Sequence, residues 1–246
     1  MPQVQVPFAG GQIPVHLVGP PTDRPVPGVV VVHDVFGMTA DLRRQAAWLA
    51  GQGYLVAAPD LFAEGRARCV LAAFSALRAR RGRIFEQLDA VRSWLAAQPT
   101  CTGRVGVIGF CLGGGFALLL AGRGGYAASS VNYGEVPEDA EALLQGACPV
   151  VGSFGGRDRT LKGAAARLEA ALAANGVPHD VREYPGAGHG FMNQHRGPLG
   201  LGETLLAVAG IRFDPEADED ARRRIGAFFA THLQGPGTPA PGEPGA

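Results

Sequence analysis

Cys111 lies in Gly109-Phe110-Cys111-Leu112-Gly113-Gly114, after the apolar run 105–108 and before the helix-like run 116–120. A thiol raised on a sharp strand-to-helix turn is exposed to a reactant and has backbone on both sides of it. Gly109 and Gly113 are expected to stand where a β-carbon would crowd the turn and the neighbouring strand. The sulfur then sits near a helix N-terminus, where aligned peptide dipoles favour a thiolate. The Leu112 N–H faces an oxyanion forming on the substrate. This chemistry is nucleophilic attack on a carbonyl. A buried, inert cysteine in a Gly-rich loop is the competing reading of the motif alone.

Two further residues complete the constellation. Asp158 ends Gly155-Gly156-Arg157-Asp158, and His189 lies in a loop with Gly186, Gly188 and Gly190. Nucleophile, acid and histidine follow in that order along the chain, as they do in the α/β-hydrolase triad. His189 takes the thiol proton and returns it to the leaving alcohol, while Asp158 orients the imidazole. Each has a plainer reading: Asp158 as the cap of a helix starting near Leu161, His189 as a loop histidine. Competing motifs fail. Val151-Gly152-Ser153-Phe154-Gly155 is not Gly-x-Ser-x-Gly, and Leu118 breaks a Gly-x-Gly-x-x-Gly pattern. His189 and His195, six apart, make a weak metal pair, so no metal is expected.

The elements that must position these residues can be read from periodicity. Residues 3–18 with Gly10-Gly11 predict a hairpin, and Val29–Val32 predicts a strand buried on both faces. Thr39 or Asp41 caps a helix running to Gln52, and Tyr54–Ala58 is the next strand. The Arg- and Ala-rich stretch 61–82 gives no clear element. Ile84, Leu88, Val91 and Leu95 mark a helix. Strands follow at 104–109, 128–133, 150–154 and 179–184. Helices are expected at 112–122, along Leu161, Ala165, Leu168 and Leu172, and along Ala221, Ile225, Phe228 and Phe229. Alternating strands and helices predict an α/β fold, a mostly parallel twisted sheet with helices on both faces. Asp34, Cys111, Asp158 and His189 all fall after strand ends, where such sheets bind ligands. One domain is expected over 3–234, with a disordered Gly/Pro-rich tail at 235–246.

Composition narrows the class. The 246 residues carry 22 Lys+Arg and 22 Asp+Glu, a formal net charge of zero, which argues against a nucleic-acid partner. The basic run through Arg66, Arg68, Arg78, Arg80, Arg81 and Arg83 is read as a solvated helix face. No signal peptide or bilayer-spanning run is seen, so a cytoplasmic protein without membrane contact is expected. Cys69, Cys101, Cys111 and Cys148 fit no zinc spacing and are expected as free thiols.

Together with His33-Asp34-Val35-Phe36-Gly37, Ala58-Pro59-Asp60-Leu61-Phe62, Asn132-Tyr133-Gly134 and Gly188-His189-Gly190-Phe191, these motifs resemble the dienelactone hydrolase family from about Val4 to Leu233. The resemblance implies a monomer with the α/β-hydrolase fold that opens lactones or esters without a cofactor. It implies Cys111, Asp158 and His189 as the triad, and the N–H groups of Leu112 and Val35 as the oxyanion hole. Asp34 stands where the family has an acid, usually glutamate, that helps deprotonate the thiol. Phe36 and Tyr133 are implied as substrate contacts. Asn193 occupies the place of an arginine that binds the substrate carboxylate in members acting on dienelactone. Arg66 or Arg68 matches a second such arginine. The leading substrate is a small, dienelactone-like lactone from aromatic breakdown. The alternatives are a general small carboxylesterase with a neutral substrate, a non-catalytic binding protein of the same fold, and a redox-sensing thiol.

Overall fold

The computed structural model of the protein describes residues 3–194 and 212–234. The expected tail at 235–246 and His195 lie outside the described residues. Eight strands form one sheet: β1 (Gln3–Phe8), β2 (Gly11–Val18), β3 (Val26–Val32), β4 (Leu55–Pro59), β5 (Cys101–Phe110), β6 (Ala128–Asn132), β7 (Val150–Gly155) and β8 (His179–Tyr184). Their spatial order is β1-β2-β4-β3-β5-β6-β7-β8. The β1–β2 hairpin pairs antiparallel to β4, and every pairing from β4 through β8 is parallel.

The pleat sorts the central strands onto two faces. Val30, Val32, Val105 and Val107 pack into one core, whereas Val29, Val31, Ile108 and Phe110 pack into the other. The first core is closed by α2 (Arg66–Ala79), α3 (Arg83–Ala96), α4 (Leu112–Arg123), the short α5 (Ala140–Leu143) and α6 (Ala164–Ala174). The second is closed by α1 (Ala40–Gly51) and α7 (Pro215–Phe229). The Thr39 hydroxyl caps α1 by accepting from the Leu42 N–H at 3.2 Å, and Asp214 caps α7 through the Ala217 N–H at 3.2 Å.

Two elements escaped the sequence reading. The stretch 61–82 holds α2, which buries only Ala73 and Ala76 fully and leaves Leu71 and Phe74 exposed, so it shows no apolar stripe. The four-residue α5 is too short for any periodicity. No helix among the described residues is long and apolar enough to cross a membrane.

The register explains why the site forms where it does. Val32 lies beside Gly109, Phe110 beside Asn132, and Asn132 beside Ser153. The carboxyl ends of β3, β5, β6 and β7 are therefore level. The chain leaves them at His33, Cys111, Tyr133 and Gly156.

Candidate active site

Cys111 occupies the corner between β5 and α4 with φ 54° and ψ −116°, a conformation costly for a side chain-bearing residue. The corner is this tight because glycines let three backbones meet. A β-carbon on Gly109 would lie 1.9 Å from the Gly113 carbonyl oxygen. One on Gly113 would lie 2.2 Å from the Val32 carbonyl oxygen at the end of β3. Cys111 N–H donates to the Asn132 carbonyl at 3.0 Å, tying the corner to β6. Leu112 opens α4, so its N–H belongs to the first turn, which lacks intrahelical acceptors.

Asp158 and His189 sit in turns that share a backbone seam. Gly156 N–H donates to the Tyr184 carbonyl at 2.8 Å, and Arg157 N–H to the Ala187 carbonyl at 2.9 Å. Gly155 is needed there, because a β-carbon on it would lie 2.4 Å from the Gly188 carbonyl oxygen. The seam brings His189 Nδ1 to 2.6 Å from Asp158 Oδ2. Asp158 Oδ1 accepts from the Thr160 N–H at 2.9 Å and its hydroxyl at 2.6 Å. Asp158 thus both caps the 3-10 turn Arg159–Leu161 and holds the histidine; the two readings of this residue coexist.

The Cys111 side chain is near enough to the His189 ring to raise its proton affinity. Since Nδ1 faces Asp158, Nε2 is the atom left for the sulfur. Burial alone would lower the histidine pKa, but the bond to Asp158 and the nearness of Cys111 outweigh it and raise the value to about 10. Burial likewise pushes Asp158 up, yet the donors His189 and Thr160 hold it below the usual carboxylate range. An imidazole this basic keeps a proton at neutral pH, so beside the sulfur it is the group that holds the proton and later returns it.

The loop after β3 lies across the same end. Asp34 is buried, and its Oδ1 accepts the Phe36 N–H at 2.8 Å, folding the chain around Val35. His33 anchors this loop: its Nε2 accepts the Leu61 N–H at 3.2 Å, which leaves Nδ1 protonated toward the Asp34 carbonyl at 2.7 Å.

Residues expected at the substrate are placed differently. Tyr133 is buried with its ring edge-on to His189, centroids 5.4 Å apart, and its hydroxyl donates to Asn193 Oδ1. Asn193 Nδ2 donates to Asp41 Oδ2 at 2.6 Å, so both polar atoms of Asn193 have protein partners. Arg66 is exposed at the start of α2. Arg68, 80% exposed, pairs with Glu64 at 3.7 Å. It borders a cavity of about 360 Å³ shared with Gln12, Cys69, Arg83 and Gln87, whose lining does not include Cys111, Asp158 or His189.

Sequence reasoning missed the part played by α1. Asp41, taken only as a possible cap, accepts from Asn193 and from the Gln194 N–H at 3.0 Å. Gln45 donates to the Met192 carbonyl at 2.8 Å. The available signal was a pair of polar residues four apart on the buried stripe of Leu42, Ala46 and Leu49. Among the described residues no cluster of three metal-ligating side chains occurs.

Comparison with known proteins agrees with this architecture. The model of the dienelactone hydrolase family matches residues 13–233. The carboxymethylenebutenolidase of Pseudomonas putida is 30% identical over 194 residues, covering 71% of this chain and 79% of that protein. Dienelactone hydrolase from Anabaena variabilis superposes with a TM-score of 0.67 at 21% identity, over 94% of this chain and 97% of that one. A dienelactone hydrolase-like promiscuous phosphotriesterase from metagenomic libraries superposes with a TM-score of 0.78 at 21% identity, over 94% and 98%. The two structural likenesses bear on the fold; the family match and the Pseudomonas relative bear on descent. The chain belongs to the dienelactone hydrolase family and is a hydrolase on the α/β-hydrolase fold.

Proposed function

We propose that the protein cleaves a small lactone or ester through a Cys111 thioester, with His189 moving the proton and Asp158 orienting the imidazole. The observation that carries this is the contact chain itself, in which a thiol at a strained corner meets an imidazole held from behind at 2.6 Å. Cys111 Sγ attacks the carbonyl carbon with its proton already held on His189 Nε2. The carbonyl oxygen becomes an oxyanion that accepts hydrogen bonds from the Leu112 and Val35 N–H groups. Asp34, by bonding Phe36 N–H, holds the Val35 peptide in that role. The oxyanion collapses, the C–O bond breaks, and the leaving oxygen takes the proton from His189. Water, deprotonated by His189, then adds to the thioester; the acid departs and the thiol is restored.

A dienelactone-like lactone is the leading substrate, by analogy with the Pseudomonas relative, a carboxymethylenebutenolidase. Phe36 is the remaining candidate contact beside the oxyanion hole. One observation favours a neutral ester instead: Asn193 is uncharged, buried and tied to Tyr133 and Asp41, so it supplies no cation to pair with a carboxylate. Turnover of dienelactone and of p-nitrophenyl acetate by wild type and by folded Cys111→Ala tests both points. Loss of both activities in Cys111→Ala supports one thiol site, and the ratio in wild type chooses the substrate class. Full activity in Cys111→Ala sinks the proposal.

A further inference from the structure

Tyr133 is one of three non-glycine residues with positive φ among the described residues, at φ 39°; Cys111 is another. Its backbone is pinned from two sides. Tyr133 N–H donates to the Ser153 carbonyl at 2.7 Å, and a β-carbon on Gly134 would lie 2.3 Å from the Gly114 carbonyl carbon in the nucleophile helix. Strain kept at such a position invites a functional reading. The ring fills the space beside His189 and stacks edge-on to Phe191 as well, at 5.4 Å in both cases.

From the hydroxyl, a line of hydrogen bonds runs away from the site. Tyr133 donates to Asn193 Oδ1, Asn193 Nδ2 donates to Asp41 Oδ2 at 2.6 Å, and Asp41 Oδ1 accepts from Gln194 N–H at 3.0 Å and Arg44 Nη2 at 2.8 Å. All three relay side chains are buried. The direction is fixed, because a carboxylate at one end only accepts and the amide must therefore turn its oxygen to the phenol. Burial, reinforced by Asp34, Asp41, Cys111 and Asp218, holds the phenol far above its ordinary pKa, so it stays a donor.

Anchoring of the histidine loop does not need this relay. Gln45 already holds the Met192 carbonyl, Arg44 Nη2 the Gln194 carbonyl at 3.1 Å, and Asn193 N–H the Gly190 carbonyl at 2.9 Å. A buried carboxylate is costly unless it is paired, and apolar packing would fill the same space at less cost. What the relay adds is a fixed Tyr133 ring. His189 is gripped from behind at one point, Nδ1, and one hydrogen bond lets a ring pivot about its axis. The Tyr133 edge blocks the pivot that would swing Nε2 off the sulfur. We infer that Asp41 and Asn193 are positioning residues, which through Tyr133 lock the His189 ring onto Cys111. The inference rests on the catalytic reading of Cys111 and His189, and it turns Asn193 and Tyr133 from substrate contacts into supports.

Steady-state turnover of p-nitrophenyl acetate by the full chain tests it in Tyr133→Phe, Asp41→Asn and their double variant. Tyr133→Phe keeps the ring and removes only the hydroxyl, so it is the variant that stays folded if Asp41→Asn does not. The expected result is a fall in kcat of about ten- to a hundredfold with KM unchanged, since a small tilt at the reacting pair is costly. The double variant is expected to be no slower than the slower single one, because both act along one line. His189 is expected to titrate about one unit lower in Tyr133→Phe by NMR, as its grip on Asp158 and Cys111 loosens. Wild-type kcat and an unmoved His189 midpoint in folded Tyr133→Phe overturn the inference. That failure leaves the thiol mechanism standing if Cys111→Ala is inactive. An active Cys111→Ala overturns the mechanism instead, and the NMR midpoint then still decides the relay.

Discussion

At the scale of single residues, the site sets two different forms of constraint against each other. Cys111 is presented by backbone strain, whereas His189 is held by side-chain contacts. Asp158 is the contact whose removal is easiest to interpret. Asp158→Asn keeps the size of the side chain but takes away the charge and favours the wrong tautomer. We expect turnover to fall about 100- to 10,000-fold, and His189 to titrate well below about 10, both readable by kinetics and NMR. The same pair makes stability depend on pH. His189 has its pKa raised from 6.5 to about 10, so its contribution is full below 6.5 and lost as pH climbs through 10. Asp158 is held below its ordinary 3.8, so its contribution is present above 3.8 and lost as pH drops through the lower folded value. The melting-temperature gap between wild type and Asp158→Asn is therefore expected to be widest between those limits and to narrow outside them. The His189–Asp158 contact at the strand ends beside Cys111 was legible in the sequence, because these residues follow glycine-rich strand ends in a fixed order. The Asp41–Asn193 contact was not, because it joins residues 152 apart in the chain and neither residue type announces a partner.

At the scale of elements, the corner that carries Cys111 depends on where β-carbons are absent. The sequence points to Gly109 and Gly113 for this, and the packing gives the reason: the α4 backbone crosses β5 and the end of β3 closer than any side chain allows. Gly113→Ala would place a methyl 2.2 Å from a backbone oxygen that cannot give way. We expect it to cost about 1–3 kcal/mol or more, with turnover falling further than stability, by denaturant melts and kinetics on the same sample. Gly51→Ala is the matching control. Gly51 ends α1 with nothing within 4 Å of an added β-carbon and no positive φ. It is expected to gain about 0.5–1 kcal/mol. Helix α2 shows where pattern reading stops. Its fully buried residues are two alanines, so the usual stripe of large apolar side chains is missing.

At the scale of the whole molecule, a level row of strand ends gathers groups that are far apart in sequence. The continuous apolar run of β3 and the alternation of strands with helices made the two-faced sheet readable in the sequence, and helices do cover both sides. The closing role of α7 is a matter of packing alone. Phe229 is fully buried on it and meets Tyr54 edge-on at 6.1 Å, joining α7 to the start of β4. Phe229→Ala is expected to cost about 3–5 kcal/mol while leaving kcat of the remaining folded enzyme near wild type, because Phe229 meets Tyr54 at the start of β4, at the opposite end of the strands from Cys111. The central claim for the molecule is that the acyl group passes through Cys111. Rapid mixing with p-nitrophenyl acetate, acid quench and peptide mass mapping measures this directly. The account predicts an acetyl thioester on the Cys111 peptide that forms with the burst and decays with turnover. Full turnover with no acyl group on Cys111, or with the acyl group on another residue, would contradict it.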